Sequence, residues 1–204
     1  MLPIVGSVNE LGRLYLSNNE NVSTAALNYE QKLSILNVKS TLKAGGYAEY
    51  KTRNYAERSL TYRKLDSGFL TDDEINALPF ESLFSEQYMG QNKVLAIMEQ
   101  TDVANKYDAA NLLSAGYVSL NLPLGAFNIY GGVRGEYNRL TLDGYRDVNK
   151  PVAIDVPTFN LFPSVNISYN LTPKSLLRFA YASTINRPEF REVAPLSYYD
   201  FTEK

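Results

Sequence analysis

Three short runs of the sequence combine residue types that could do chemistry. Asp143-Gly144-Tyr145-Arg146-Asp147 places two carboxylates near a glycine, as a calcium loop does, but the remaining carboxylates and the terminal Glu of such a loop are missing. Thr71-Asp72-Asp73-Glu74 has the pattern of a capping box and predicts a short helix. Arg187-Pro188-Glu189-Phe190-Arg191-Glu192 alternates in charge beside a proline, which predicts the end of a strand at a charged rim.

The composition excludes most catalytic and metal-binding chemistry. The 204 residues include no His and no Cys, which rules out a zinc finger, a thiolate nucleophile, a histidine base and a disulfide framework. The sequence has no Gly-x-Ser-x-Gly elbow and no glycine-rich phosphate loop. A net charge of −2 provides no basic surface for nucleic acid. We therefore expect that the protein is not an enzyme and that it binds no metal, no cofactor and no nucleic acid.

The elements that must position these runs are strands, because apolar residues recur at every second position. Only a strand converts a period of two into two different faces. The alternation is clearest over Phe159–Leu171, Phe127–Leu140 and Ser175–Asn186, and weaker over Ala25–Ile35, Thr41–Tyr62 and Ala110–Leu122. We predict strands of roughly 12–15 residues, longer than the about 5–6 of soluble proteins and sufficient for a tilted crossing of a bilayer.

The predicted connections alternate between short and long. Leu122–Ala126, Leu171–Ser175 and Asn37–Ser40 are expected to be tight turns, whereas residues 64–109 and 142–157 are expected to be long loops. Short turns at one end and long loops at the other are typical of outer-membrane barrels.

The aromatic residues of the apolar faces fall at two levels. Phe127 and Tyr169 lie near the short turns, and Tyr137 and Phe159 lie near the long loops. Aromatic girdles at both membrane interfaces are a feature of transmembrane barrels. The fold expected is therefore all-β: an antiparallel up-and-down transmembrane β-barrel segment of about seven long strands.

Several of these segments resemble TonB-dependent receptors of the Bacteroidetes outer membrane. The resemblance is carried by Asn160–Thr172, Leu177–Ala182 and Asn186–Pro195, within which Asn186–Glu192 (NRPEFRE) is the most specific part. Further similar pieces are Ala115–Tyr117, Gly131–Tyr137, Tyr47–Lys51 and Tyr55–Arg58, and the resemblance covers most of the chain from about Ala25 to Phe201. It implies short periplasmic turns, long extracellular loops and energised uptake of a scarce ligand such as an iron chelate, cobalamin or a glycan.

The resemblance also implies parts that are not expected within residues 1–204. Receptors of this kind have a signal peptide, a TonB box, a plug domain and a barrel of about 22 strands. We interpret the chain as one partial barrel, an internal slice of a larger protein or a truncated reading frame, without plug or signal peptide. The partners expected are the lipid bilayer, the plug domain, the remaining barrel strands and, through the plug, the TonB–ExbB–ExbD system.

Two sets of residues are expected at functional surfaces. Charged side chains on the polar strand faces are expected to line the lumen and contact the plug: Lys43, Glu49, Lys51, Arg53, Arg134, Glu136 and Arg178. Residues of the predicted rim are expected to contact ligand: Asp143, Tyr145, Asp147, Arg187, Glu189 and Arg191. The long loop around Leu70–Tyr107 belongs to the same expected mouth.

Two other interpretations of the pattern stay open at the level of sequence. One is a self-contained outer-membrane barrel of about eight strands that acts as an adhesin, a channel or a membrane enzyme. Such a barrel should have an even strand count and an aromatic final strand. The other is a soluble β-sandwich binding module, which should be monomeric in detergent-free buffer.

Overall fold

The computed structural model describes residues 12–65 and 69–195, which form one antiparallel sheet. The strands are β1 (Gly12–Ile35), β2 (Val38–Lys64), β3 (Leu95–Glu99), β4 (Lys106–Leu124), β5 (Phe127–Asp147), β6 (Lys150–Thr172) and β7 (Ser175–Ala182). They are hydrogen-bonded in the order β1-β2-β4-β5-β6-β7, and the short β3 adds to β2. The all-β, antiparallel, up-and-down architecture of about seven strands is therefore confirmed.

Two-residue turns connect the strands at one end of the sheet. They are Leu36–Asn37, Gly125–Ala126 and Pro173–Lys174. Leu36 and Asn37 both have positive φ (53° and 62°), the type I′ geometry that matches the twist of the strands on either side. The first turn thus begins one residue earlier than expected, because Val38 already pairs with Ile35.

The longest connection, between β2 and β4, folds around a small core of its own. It contains helix α1 (Asp72–Ala77), 3-10 turns at Phe80–Phe84 and Val103–Asn105, and β3. Four apolar side chains are buried together there: Ile75, Leu83, Val94 and Leu95. The predicted capping box at Thr71 and Glu74 is confirmed at the start of α1. Among the described residues, no helix has the length and apolar character needed to cross a membrane.

The prediction of a second long loop over residues 142–157 is wrong. β5 runs to Asp147 and β6 begins at Lys150, with Leu142 opposite Ile154. The five long strands measure 19 to 27 residues rather than 12–15, and β1 begins at Gly12 rather than Ala25. β7, in contrast, ends at Ala182 and does not reach Asn186.

A change of phase explains the missed strand length. Up to Tyr137 the odd-numbered positions of β5 are apolar, but beyond it the apolar positions are the even-numbered Leu140 and Leu142. Arg139 and Asp143 then occupy the face that was apolar before. The alternation of apolar and polar residues continues beyond Tyr137, but the apolar residues change to the other face. In the sequence this change resembles the end of a strand.

One face of the sheet carries an apolar belt of bilayer height. Its side chains are exposed: Leu27 by 78%, Phe159 by 66% and Leu177 by 62%. Phe127 stacks on Tyr169 with ring centroids 4.4 Å apart, and Tyr137 lies opposite Phe159 ten residue steps further along the strands. Ten steps of about 3.3 Å at a tilt of about 40° span roughly 25 Å, the height of a barrel's apolar band.

Two adjacent glycines of β2 point to opposite faces and meet different surroundings. A Cβ on Gly45, on the polar face, would lie 2.5 Å from the Tyr117 ring, whose hydroxyl donates to Asn28 at 2.7 Å. A Cβ on Gly46, on the belt face, would meet only a carbonyl oxygen at 3.7 Å. Only the first position therefore needs glycine for packing inside this chain.

We expect the substitutions Gly45→Ala and Gly46→Ala to change stability in opposite directions. Overpacking against Tyr117 should cost Gly45→Ala about 1–3 kcal/mol. Gly46→Ala should be stabilising by about 0.5–1 kcal/mol, because it reduces the entropy of the unfolded chain. Urea unfolding of the micelle-bound protein, followed by far-UV circular dichroism, measures both. Equal effects of the two substitutions would contradict the assignment of faces.

Candidate functional site in the barrel lumen

The face opposite the belt collects the charged residues. The register of the strands places all seven expected lumen residues on this face: Lys43, Glu49, Lys51, Arg53, Arg134, Glu136 and Arg178. Charged side chains cannot face hydrocarbon without a large cost, so this face lines the lumen. That these residues contact a plug stays a prediction.

The chain after β7 leaves the sheet and crosses the lumen face. This inner segment, residues 183–195, begins with a hydrogen bond from the Ser183 amide to the Pro163 carbonyl (3.1 Å) and contains helix α2 (Phe190–Val193). The Phe190 side chain is only 3% exposed and is buried in one cluster with Tyr107, Ala109 and Leu142. The segment is thus docked on the wall by an aromatic anchor.

An ion-pair network fixes the same segment beside Phe190. The Glu136 carboxylate accepts from Arg134 Nε at 2.5 Å through one oxygen and from Arg187 Nη2 at 2.6 Å through the other. Glu136 is only 8% exposed, and Arg134 also lies 5.8 Å from the Tyr47 ring centroid. A carboxylate removed from water in this way requires both partners.

A second charged cluster contacts the inner segment through Glu189. Glu20 of β1 accepts from Arg53 Nε at 2.6 Å, and its other oxygen lies 3.4 Å from Lys51 Nζ. Glu189 approaches the same two cations more loosely, at 3.5 Å from Lys51 and 3.7 Å from Arg53. Both cations also lie over the Phe190 ring, at 5.5 Å and 5.3 Å from its centroid.

The expected rim residues do not form one site. Asp143 and Tyr145 point to the outer face of β5 above the belt, and Asp147 lies at the β5–β6 turn, where it pairs with Lys150 at 3.5 Å. Arg187 and Glu189 instead contact the lumen wall, and Arg191 belongs to α2. These six residues therefore do not lie together, because β5 stays in the sheet up to Asp147; that any of them contacts ligand stays a prediction.

The lumen near the short turns is lined by hydroxyl, amide and charged groups. A polar hollow of about 450 Å³ lies there, with Lys43 paired to Glu30 at 3.1 Å. Its other walls come from Thr41, Asn121, Asn128, Tyr130, Asn166, Ser168 and Arg178. Within the described ranges, Arg178 has no ion-pair partner. In residues 12–65 and 69–195, no three acidic side chains lie close enough to hold a metal ion.

Two residues of the lumen clusters were missed at the level of sequence. Glu20 lies outside the strand predicted to begin at Ala25, although its register partner is Arg53. Phe190 belongs to the run predicted as a rim, whereas it packs against Tyr107, which lies more than 80 residues earlier in the sequence. Lys51 and Arg53 on β2 are a signal that could have predicted an acidic partner such as Glu20 on β1. The sequence around Phe190 contains no comparable signal for its docking.

These features define the wall of a transmembrane β-barrel: a continuous antiparallel sheet with an apolar belt on one face and charged residues on the other. A family model described as the outer membrane protein beta-barrel family matches residues 7–202, and the chain belongs to this family. The protein is therefore located in the bacterial outer membrane, with its belt in contact with lipid. The search of curated proteins found no match.

We expect Phe190→Ala to release the inner segment from the wall. Truncation of a buried Phe should weaken its docking by about 3–5 kcal/mol. Hydrogen exchange of the amides in residues 183–195 should then approach that of an open chain, while exchange in β4 and β5 stays unchanged. Phe80→Ala is the matched control, since Phe80 is 52% exposed. Equal protection in both variants would contradict an anchoring role for Phe190.

We expect the helix in the β2–β4 connection to lose stability in acid. The Thr71 amide and hydroxyl donate to the Glu74 carboxylate, both at 2.8 Å, which holds the pKa of Glu74 below its usual value. A carboxyl with a lowered pKa stabilises the folded state above its unfolded pKa of about 4.3, and that stabilisation is lost as pH falls through the folded pKa.

The measurement is hydrogen exchange of the α1 amides between about pH 6 and pH 3, corrected for intrinsic rates. Glu74→Gln keeps a capping side chain but cannot titrate, so its protection should not depend on pH. Thr71→Ala should lower protection at every pH, by about 1 kcal/mol. An equally steep pH profile in Glu74→Gln would assign the effect to another group.

Proposed function

We propose that the chain forms part of the wall of a TonB-dependent receptor, a transporter that takes up a scarce ligand across the outer membrane. The observation that carries this proposal is the lumen face, which, apart from the apolar cluster around Phe190, bears charged and amide side chains beside an open polar hollow. A barrel of about eight strands fills its interior with its own side chains, whereas wider barrels enclose water or a plug. The charged face therefore favours a wide barrel.

The edges of the sheet support a larger assembly. Within the described residues, β1 and β7 each pair on one side only. Unpaired backbone groups in hydrocarbon cost several kcal/mol each, so both edges need further strands. In this proposal the further strands and the plug belong to the same receptor, and the TonB–ExbB–ExbD system acts on the plug with the energy of the proton gradient.

The lumen offers the plug a wall of defined chemistry. The hollow near the short turns presents amide groups and Arg178 beside the Lys43–Glu30 pair, which fits a polar plug surface with an acidic residue opposite Arg178. The transported ligand, an iron chelate, cobalamin or a glycan in this proposal, would enter past the folded β2–β4 connection. The chain acts here as wall and loop, not as an enzyme.

Heat-modifiable gel mobility tests the proposal, because a closed barrel migrates differently before and after boiling. The full chain, refolded in detergent, should show no such shift by itself. It should acquire one when it is refolded together with the plug and strands encoded in the same receptor gene. An eight-stranded outer-membrane barrel serves as the positive control. A heat-modifiable monomer of this chain alone would overturn the proposal in favour of a small self-contained barrel.

A further inference from the structure

Lys51 is a partly buried cation whose two carboxylate partners both lie beyond the distance of a short hydrogen bond. Its side chain is 21% exposed, and its ammonium lies 3.4 Å from Glu20 and 3.5 Å from Glu189. Both distances exceed the about 2.7–2.9 Å of a charge-assisted hydrogen bond. A cation with two distant carboxylate partners gains when a further carboxylate oxygen approaches to hydrogen-bond distance.

Arg53, two residues along the same face, is held differently. Its guanidinium is bound at 2.5 Å and 2.6 Å by the Glu20 carboxylate, and its side chain is 16% exposed. Glu20 thus binds Arg53 closely through one oxygen, while its other oxygen lies 3.4 Å from Lys51, so that one carboxylate is shared between two cations. The pair still attracts a second carboxylate, as the approach of Glu189 demonstrates.

Glu189 is a weak occupant of this position. Its side chain is 64% exposed, and its distances to Lys51 and Arg53 are those of an ion pair rather than of a short hydrogen bond. Exposed pairs of this kind contribute little because water competes for both charges. A carboxylate from outside can therefore replace Glu189 at small cost.

The floor of the site does not depend on Glu189. Phe190 is held in the apolar cluster with Tyr107 and Leu142, and its ring lies beside both cations. Arg187 separately fastens the segment to Glu136 at 2.6 Å. Glu189 also begins α2 in a capping box with Glu192, so a competing carboxylate has to displace it from the two cations only and not from the helix.

We propose that Lys51 and Arg53 form a lumen site for a small organic ligand bearing carboxylates, and that Glu189 occupies it when no ligand is bound. The site takes a carboxylate because that is the group already seated between the two cations. This proposal depends only on the geometry of the barrel wall. It therefore does not require that the protein is a TonB-dependent receptor, and it applies to a narrow pore as well.

Isothermal titration of the detergent-solubilised full chain with citrate tests the site, with sodium chloride at matched ionic strength as the reference. Glu189→Gln should bind citrate about two- to fivefold more tightly, the factor that corresponds to loss of a competing ion pair of up to about 1 kcal/mol. Lys51→Gln should weaken binding about tenfold, as expected for one charge-assisted hydrogen bond.

Lys43→Gln is the matched control, because Lys43 lies on the same strand and face but pairs with Glu30. It should bind citrate as the unaltered chain does. Lys51→Arg keeps the charge and should retain binding, which separates loss of the site from loss of the fold. Weaker binding in Glu189→Gln, equal losses in Lys43→Gln and Lys51→Gln, or no citrate binding in the unaltered chain and in Glu189→Gln would each overturn the proposal.

Discussion

The hydrogen-bond ladder of the sheet is the constraint on which the rest of this structure depends. In hydrocarbon no water replaces a missing partner, so every backbone amide and carbonyl inside the belt must find one in a neighbouring strand. The register is accordingly unbroken through the belt, and its two irregularities fall outside it. One lies between Tyr145 and Asp147 beyond the upper aromatic level, and the other between Asn170 and Thr172 beside a turn.

An unbroken ladder also determines which side chains meet. Because the register does not slip, side chains that are opposite each other on neighbouring strands lie on the same face of the sheet. Glu20 therefore lies beside Arg53, and Phe127 lies beside Tyr169. The charged lumen face is thus a consequence of pairing along the whole sheet. The inner segment makes two kinds of contact with this face: Phe190 is buried in its apolar cluster, and Arg187 pairs with Glu136.

The sequence predicts the strands well inside the membrane, where alternate residues face lipid, and poorly above it, where the outer face contacts water. Between Phe127 and Tyr137 alternate residues must be apolar, so strand, face and aromatic levels can all be assigned in advance. Above Tyr137 the outer face is wet and the inner face packs around Leu142, which inverts the pattern and hides the strand. The docking of Phe190 depends on a contact distant in sequence, for which residues 183–195 contain no periodic signal.

The length of β2 sets how far the protein stands out from the membrane. Ala48 shares the level of the upper aromatic residues through Ser114 and Tyr137, and the strand continues sixteen residues further to Lys64. At about 3.3 Å per residue and a tilt of about 40°, its end stands roughly 40 Å above the lipid. The folded β2–β4 connection, with Ile75 and Leu83 at its centre, lies at the end of this projecting part of the sheet. A macromolecule approaching the cell therefore meets that small domain well before it reaches the lipid headgroups.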